Sequence, residues 1–105
     1  MLSRRQRIPS ADLRQAQKAI ISRSPSFVIT GRKNGLPEAR FAIVVGVKVD
    51  RRSVRRHLLK RRASGVLEKT ELKGQDIVLL ILPPANILSA KAFRENLAAM
   101  LNPKS

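Results

Sequence analysis

The sequence contains no cysteine, tryptophan or tyrosine, and only three phenylalanines among 105 residues. Without thiols there is no disulfide, no thiolate nucleophile and no cysteine metal site, which is compatible with a reducing, intracellular setting. Scarce aromatics remove the platform on which single-stranded bases stack in aromatic-faced RNA-recognition modules. Phe27, Phe41 and Phe93 sit in apolar patterns that suit a core instead. The single histidine and seven carboxylates show no paired or metal-ligand spacing, so no catalytic and no metal-ligating residue is assigned. Long hydrophobic runs are missing too: the longest, Ile77 to Leu82, is far too short to span a bilayer. The start, MLSRRQRIPS, has no apolar segment of a secretory signal behind its basic residues. These absences lead us to expect a soluble, cytoplasmic chain with neither a membrane nor a small-molecule partner.

What the chain has in excess is positive charge. Its formal net charge is +15 and its pI near 11.9, a field that attracts polyanions and makes association salt-sensitive. Residues 1–62 hold 17 of the 22 lysines and arginines and three of the seven acids, which places the expected binding surface in the first two thirds. The length fits a single domain, 1–105, and 43% hydrophobic residues suffice for a core. Residues 1–9 read as a basic N-terminal arm whose Arg4, Arg5 and Arg7 fasten to phosphates.

Apolar spacing predicts a helix from Ser10, as its cap, to about Ser22, with Leu13, Ala16, Ile20 and Ile21 on the core side. SRSPS breaks it, and Phe27 to Thr30 reads as a short strand followed by a turn through Asn34-Gly35 and Pro37. Alternation over Arg40 to Val49 predicts a central strand, with Gly46 as a small-residue packing position rather than a bulge or a close backbone approach. A second helix, capped by Asp50 or Ser53, runs to about Glu68 and buries Val54, Leu58, Leu59, Ala63, Val66 and Leu67. Asp76 to Leu82 reads as a strand buried on both faces, and Ser89 caps a last helix carrying Phe93, Leu97, Met100 and Leu101 inward. There is room for one more short strand between 31 and 50.

The second helix carries the chain's densest cluster. Lys48, Arg51, Arg52, Arg55, Arg56, Lys60, Arg61 and Arg62 fall within fifteen residues, interrupted by one acid, Asp50. Such a helix repels itself unless packing or a polyanion compensates. Guanidinium forks suit phosphates and base edges, so nucleic-acid contact is a better reading than a merely solvated face. A helix that follows a strand does not fit a helix-turn-helix, which favours RNA over DNA. His57, inside the strip, reads as a hydrogen-bonding contact or a surface residue rather than a general base.

The stretch RFAIVVGVKVDRRSVRRHLLKRR resembles the centre of the bacterial ribonuclease P protein subunit, where a strand of the form RFGIVVSKKV runs into a helix bearing R-N-x-x-K-R. Arg40 to Val49 matches the strand, and Arg56 to Arg61 the signature, with His57 in place of its asparagine. LSRRQRIPSADL, GQDIVLLILPPA and SAKAFRENLAAML resemble the family's opening, later strand and final helix in the same order, so the resemblance covers nearly the whole chain. It implies an α+β fold, a two-layer α/β sandwich with a small mixed sheet, three helices and a left-handed strand-helix-strand crossover. It also implies the function: the protein subunit of an RNA-catalysed endoribonuclease that matures the 5′ end of tRNA, with no protein active site and with Mg2+ held mainly by the RNA. The partners would be the catalytic RNA and precursor tRNA. Lys48, Arg51, Arg52, Arg55, Arg56, His57, Lys60, Arg61 and Arg62 would then contact RNA, together with Arg4, Arg5 and Arg7. A cleft near Leu13, Gln17, Phe27 and Ile29 would receive the 5′ leader, although Leu13 and Gln17 stand where the family has aromatics. The alternative is a ribosomal or ribosome-assembly protein with no role in cleavage.

Overall fold

The computed structural model describes residues 6–17, 19–70 and 72–101. Its frame is β4 (Gln75–Ile81), the run read as a doubly buried strand, with five of its seven residues buried. β2 (Phe27–Lys33) pairs antiparallel to β4 along its full length, from Phe27 opposite Ile81 to Lys33 opposite Gln75. β3 (Arg40–Val45) lies parallel on the other side, from Arg40 opposite Asp76 to Val45 opposite Ile81. β1 (Ile20–Arg23) completes a mixed sheet of order β1-β2-β4-β3. Helix α2 (Ser53–Leu67) links the parallel strands β3 and β4. A 3-10 turn (Pro83–Ile87) and helix α3 (Ala90–Leu101) follow, with Ser89 Oγ accepting from the Ala92 amide as the expected cap.

Strand alternation assigns the faces. Phe27, Ile29, Phe41, Ile43, Ile77, Leu79 and Ile81 point together toward α2 and α3 and form the core with Leu59, Ala63, Leu67, Phe93 and Leu97. The Phe27 and Phe93 rings meet edge to face, 5.0 Å apart. Helix α1 (Ser10–Ala16) lies on the opposite face, against β2 and β4. It is tied there by Asp12, whose Oδ2 accepts from Arg40 Nη2 at 3.3 Å. The α+β sandwich with its mixed sheet and three helices is therefore present. No helix among the described residues is long and apolar enough to cross a membrane.

The first helix is shorter than its periodicity predicts. It ends at Ala16, and Ile20 to Arg23 form the extra strand that the sequence reading placed between 31 and 50. Ile20 and Ile21 are each 53% exposed rather than part of a core stripe. Ser24 turns the chain between β1 and β2: its Oγ accepts from the amides of Ser26 and Phe27, so Ile20, Ser22 and Arg23 pair with β2 instead of extending a helix, with a register shift at Ile21. β3 lies at an edge of the sheet rather than its centre and stops at Val45 rather than Val49, and Gly46 begins a turn in open space, in which the Val49 amide donates to the Gly46 carbonyl. Gly46 is exposed there and is thus not a packing position, a bulge or a close approach. Val54 is 81% exposed, because the first turn of α2 projects beyond the core. Asn34-Gly35 makes the expected turn, with Gly35 at φ +70°. The Ser10 side chain, proposed as a cap, lies outside the described residues.

Candidate nucleic-acid interface

The cationic strip begins in the loop between β3 and α2, where Asp50 organises its neighbours. Its Oδ1 accepts from the Arg52 amide at 2.8 Å and from Arg52 Nε at 3.1 Å, and its Oδ2 from Arg52 Nη2 at 2.9 Å. The Arg52 side chain and amide, with help from Asn86, hold the Asp50 carboxyl well below the usual carboxylate range. No side chain caps the first turn of α2; Asp50, expected there, spends its oxygens one residue earlier.

Asn86, from the 3-10 turn, braces this loop. Its Nδ2 donates to the Val49 carbonyl and to Asp50 Oδ2, at 3.0 and 3.1 Å. Its Oδ1 and carbonyl accept from Arg55 Nε and Nη2, both at 2.7 Å. Arg56 turns back as well, its Nη1 donating to the carbonyls of Asp50 and Arg51. Within the predicted strip, then, Arg55 and Arg56 are committed to holding the loop against the helix. Lys48, Arg51, His57, Lys60 and Arg61 are exposed, and Arg52 keeps 75% of its side chain open while paired. His57, Lys60 and Arg61 line one shallow hollow with Ser64, and Val47 to Arg52 line another. Arg62 is half-buried and faces elsewhere.

The N-terminal arm is partly docked. Arg7 bridges to Phe41, and the Ile8 amide donates to the Phe41 carbonyl, which covers the outer edge of β3 and leaves the Arg7 side chain exposed. Arg4 and Arg5 lie outside the described residues.

The leader-cleft residues divide between the two faces of the sheet. Leu13 and Gln17 belong to α1 and the residue just beyond it, half-buried and exposed respectively. Phe27 and Ile29, at 0% and 2% exposure, point into the core on the far side and cannot line a cleft beneath α1. A period of two puts Val28, Thr30 and Arg32 on the α1 face in their place, beside Val78, Leu80 and Val44.

Two residues that matter here escaped the sequence reading. Asn86 sits in PPANI, a segment with no local signal beyond its prolines. Asp76 was read as the start of a strand, yet it is fully buried and receives Arg40 Nε and Nη2, both at 2.7 Å, and Asn34 Nδ2 at 2.9 Å. The K-G-x-D spacing before β4 was the only available hint. Among the described residues no three His, Cys, Asp or Glu side chains converge as a metal-binding set.

A family model described as Ribonuclease P matches residues 5–104. The ribonuclease P protein component of Ralstonia pickettii (strain 12J) is 33% identical over 89 residues, covering 76% of this chain. The match takes in 64% of that relative, so the chain spans just under two thirds of its length. Among solved structures, the RNase P protein from Thermotoga maritima superimposes with a TM-score of 0.80 at 26% identity, over 94% of this chain and 97% of that one. The Staphylococcus aureus RNase P protein gives 0.83 at 22% identity, over 93% and 94%, a likeness of fold.

Proposed function

Because the chain belongs to the ribonuclease P protein family, we propose that it is the protein subunit of a ribonuclease P, binding a catalytic RNA and the 5′ leader of precursor tRNA. The observation that carries this reading is the braced strip: Lys48, Arg51, Arg52, Lys60 and Arg61 present their charges on a loop and helix held in place by Asp50, Asn86 and Arg56. Positioned cations lose little freedom on meeting phosphates, and each phosphate neutralised releases counterions. His57 adds a hydrogen-bonding group in the same hollow. The leader would lie on the α1 face, against Leu13, Gln17, Val28 and Thr30, held by charge and apolar contact in the absence of aromatic stacking. The RNA is the catalyst and holds the Mg2+; the protein, by offsetting phosphate repulsion, strengthens substrate binding and lowers the magnesium requirement.

Reconstitution with the cognate catalytic RNA and a precursor tRNA at low magnesium is the test. Stimulated 5′ cleavage is expected, and no stimulation would overturn the reading. Lys60→Glu with Arg61→Glu separates the binding surface from the brace, since neither side chain holds the loop. The double variant should fold normally and bind RNA more weakly. Its slope of log K against log salt should be shallower by about 1.4–1.8, the contribution of two phosphates.

A further inference from the structure

Strand β1 carries an irregularity whose effect falls on one charged side chain. Ile20 lies opposite Thr30 and Arg23 opposite Val28, so three steps along β1 match two along β2, with Ile21 as the additional residue. Regular pairing from Ile20 would set Arg23 opposite Phe27 and turn it to the core face of the sheet. The bulge turns it instead to the α1 face, with Val28 and Thr30. Ser22, opposite Ile29, takes the core face in its place and lines a hollow there with Ile21 and Ile29. Arg23 thereby ends a row that crosses all four strands: it lies opposite Val28, Val28 opposite Leu80, and Leu80 opposite Val44. The row is open. Leu80 is the one exposed residue of β4, and Val28 and Val44 are half-buried. The tie that holds α1 is four residues back along β4, where Arg40 bridges Asp12 to Asp76, about 13 Å from the row. Arg23 itself is exposed, and among the described residues no carboxylate pairs with it. An apolar strip that ends in an unpaired guanidinium fits a flexible polyanion with apolar faces, which is single-stranded RNA: its bases and riboses lie on the valines and the leucine, and a phosphate meets the arginine.

We propose that Arg23 is a substrate-binding residue that holds a phosphate of the distal 5′ leader at the β1 edge of the sheet. This rests on the leader reading given under the proposed function. The other end of the row, Val44, is on the edge strand that runs into the basic loop and helix. A leader leaving the catalytic RNA there meets Val44 first and Arg23 last. Three strand spacings make that path roughly 14 Å, about four nucleotides at a stacked rise of 3.4 Å. With no aromatic ring on this face, the charge of Arg23 fixes the far end of the leader without reading its bases.

The test uses the holoenzyme reconstituted from the full chain and its catalytic RNA. The precursor tRNA bears either a leader long enough to cross the sheet or one cut back to the nucleotides next to the cleavage site. Affinity is read from the enzyme-concentration dependence of single-turnover cleavage. Arg23→Met should fold normally, bind the short-leader substrate as wild type does, and lose about two- to fivefold in affinity for the long one, the range of an exposed ion pair. Its salt slope on the long leader should be shallower by about 0.7, one single-strand phosphate. Arg94→Met, at an exposed position of α3 in the other layer, removes the same charge and should keep the full preference for the long leader. Ile20→Arg added to Arg23→Met returns a cation to the α1 face opposite Thr30 and should restore part of the loss. A weakening of Arg23→Met that is equal for both leaders is general charge attraction and overturns the site. A charge on a short edge strand also blocks pairing with another chain. If that is the whole role of Arg23, Arg23→Met keeps the preference in full and elutes as a larger species, which overturns the site and leaves the leader reading standing. No preference for the long leader in wild type overturns both.

Discussion

Asp76 and Asn86 bear no positive charge, yet they determine where the neighbouring arginines point. Burial alone would raise the Asp76 carboxyl; the hydrogen bonds from Arg40 and Asn34, with the charges of Arg40 and Arg32, outweigh it and leave the group below its usual value. Its stabilisation is therefore present above the unfolded value of about 3.9 and is lost as pH falls toward the lower folded value. Thermal midpoints should hold between pH 5 and 7 and decline below about 4, more steeply in wild type than in Asp76→Asn. Asp76→Ala leaves Arg40 partly buried without its main partner and should cost about 3 kcal/mol in urea unfolding, a large share of the roughly 5–15 kcal/mol of such a domain. Asn86→Ala strips the brace from Arg55 and Asp50 while leaving every cation in place. We expect a loss of about 1–2 kcal/mol in the same assay, and weaker RNA binding measured by filter retention despite unchanged net charge.

At the scale of elements, β4, α2 and α3 were legible to within a residue or so, because each combines a long apolar pattern with a clear stop: Pro83-Pro84 after β4, Ser89 before α3. The first helix was not. Leu13, Ala16, Ile20 and Ile21 satisfy a helical period, and only the partner strand β2, distant in its own pairing, shows that the isoleucines belong to a sheet. The cleft failed for a related reason. Phe27 and Ile29 were placed by resemblance, whereas their face depends on the register with β4, which no local pattern specifies. The basic strip is visible in the sequence as a run of cations, but which of its arginines are engaged within the fold depends on Asn86, thirty-one positions from Arg55. Gly31 shows how tight the β1-β2-β4 junction is. A Cβ there would stand 2.8 Å from the Asp76 carbonyl and 2.8 Å from Ile21 Cδ1. Gly31→Ala should destabilise the fold by about 1–3 kcal/mol, read from the shift in the urea midpoint at constant m-value.

For the whole molecule, what matters is that the strand at the centre of the sheet is the last one in the sequence. Among the described residues β3 has no strand partner other than β4, and β2 has only the short β1 besides. During synthesis both must wait for residues 75–81, an interval of roughly 2–7 s after β3 at typical elongation rates. Long-range pairing of this kind also slows folding from the unfolded chain. A polypeptide ending at residue 74 is accordingly expected to show no cooperative thermal transition by circular dichroism, although it holds the entire basic cluster. Premature termination would thus yield a strongly cationic, unfolded chain rather than a weakened version of the protein, and a frameshift in the last third would be as damaging as one near the start.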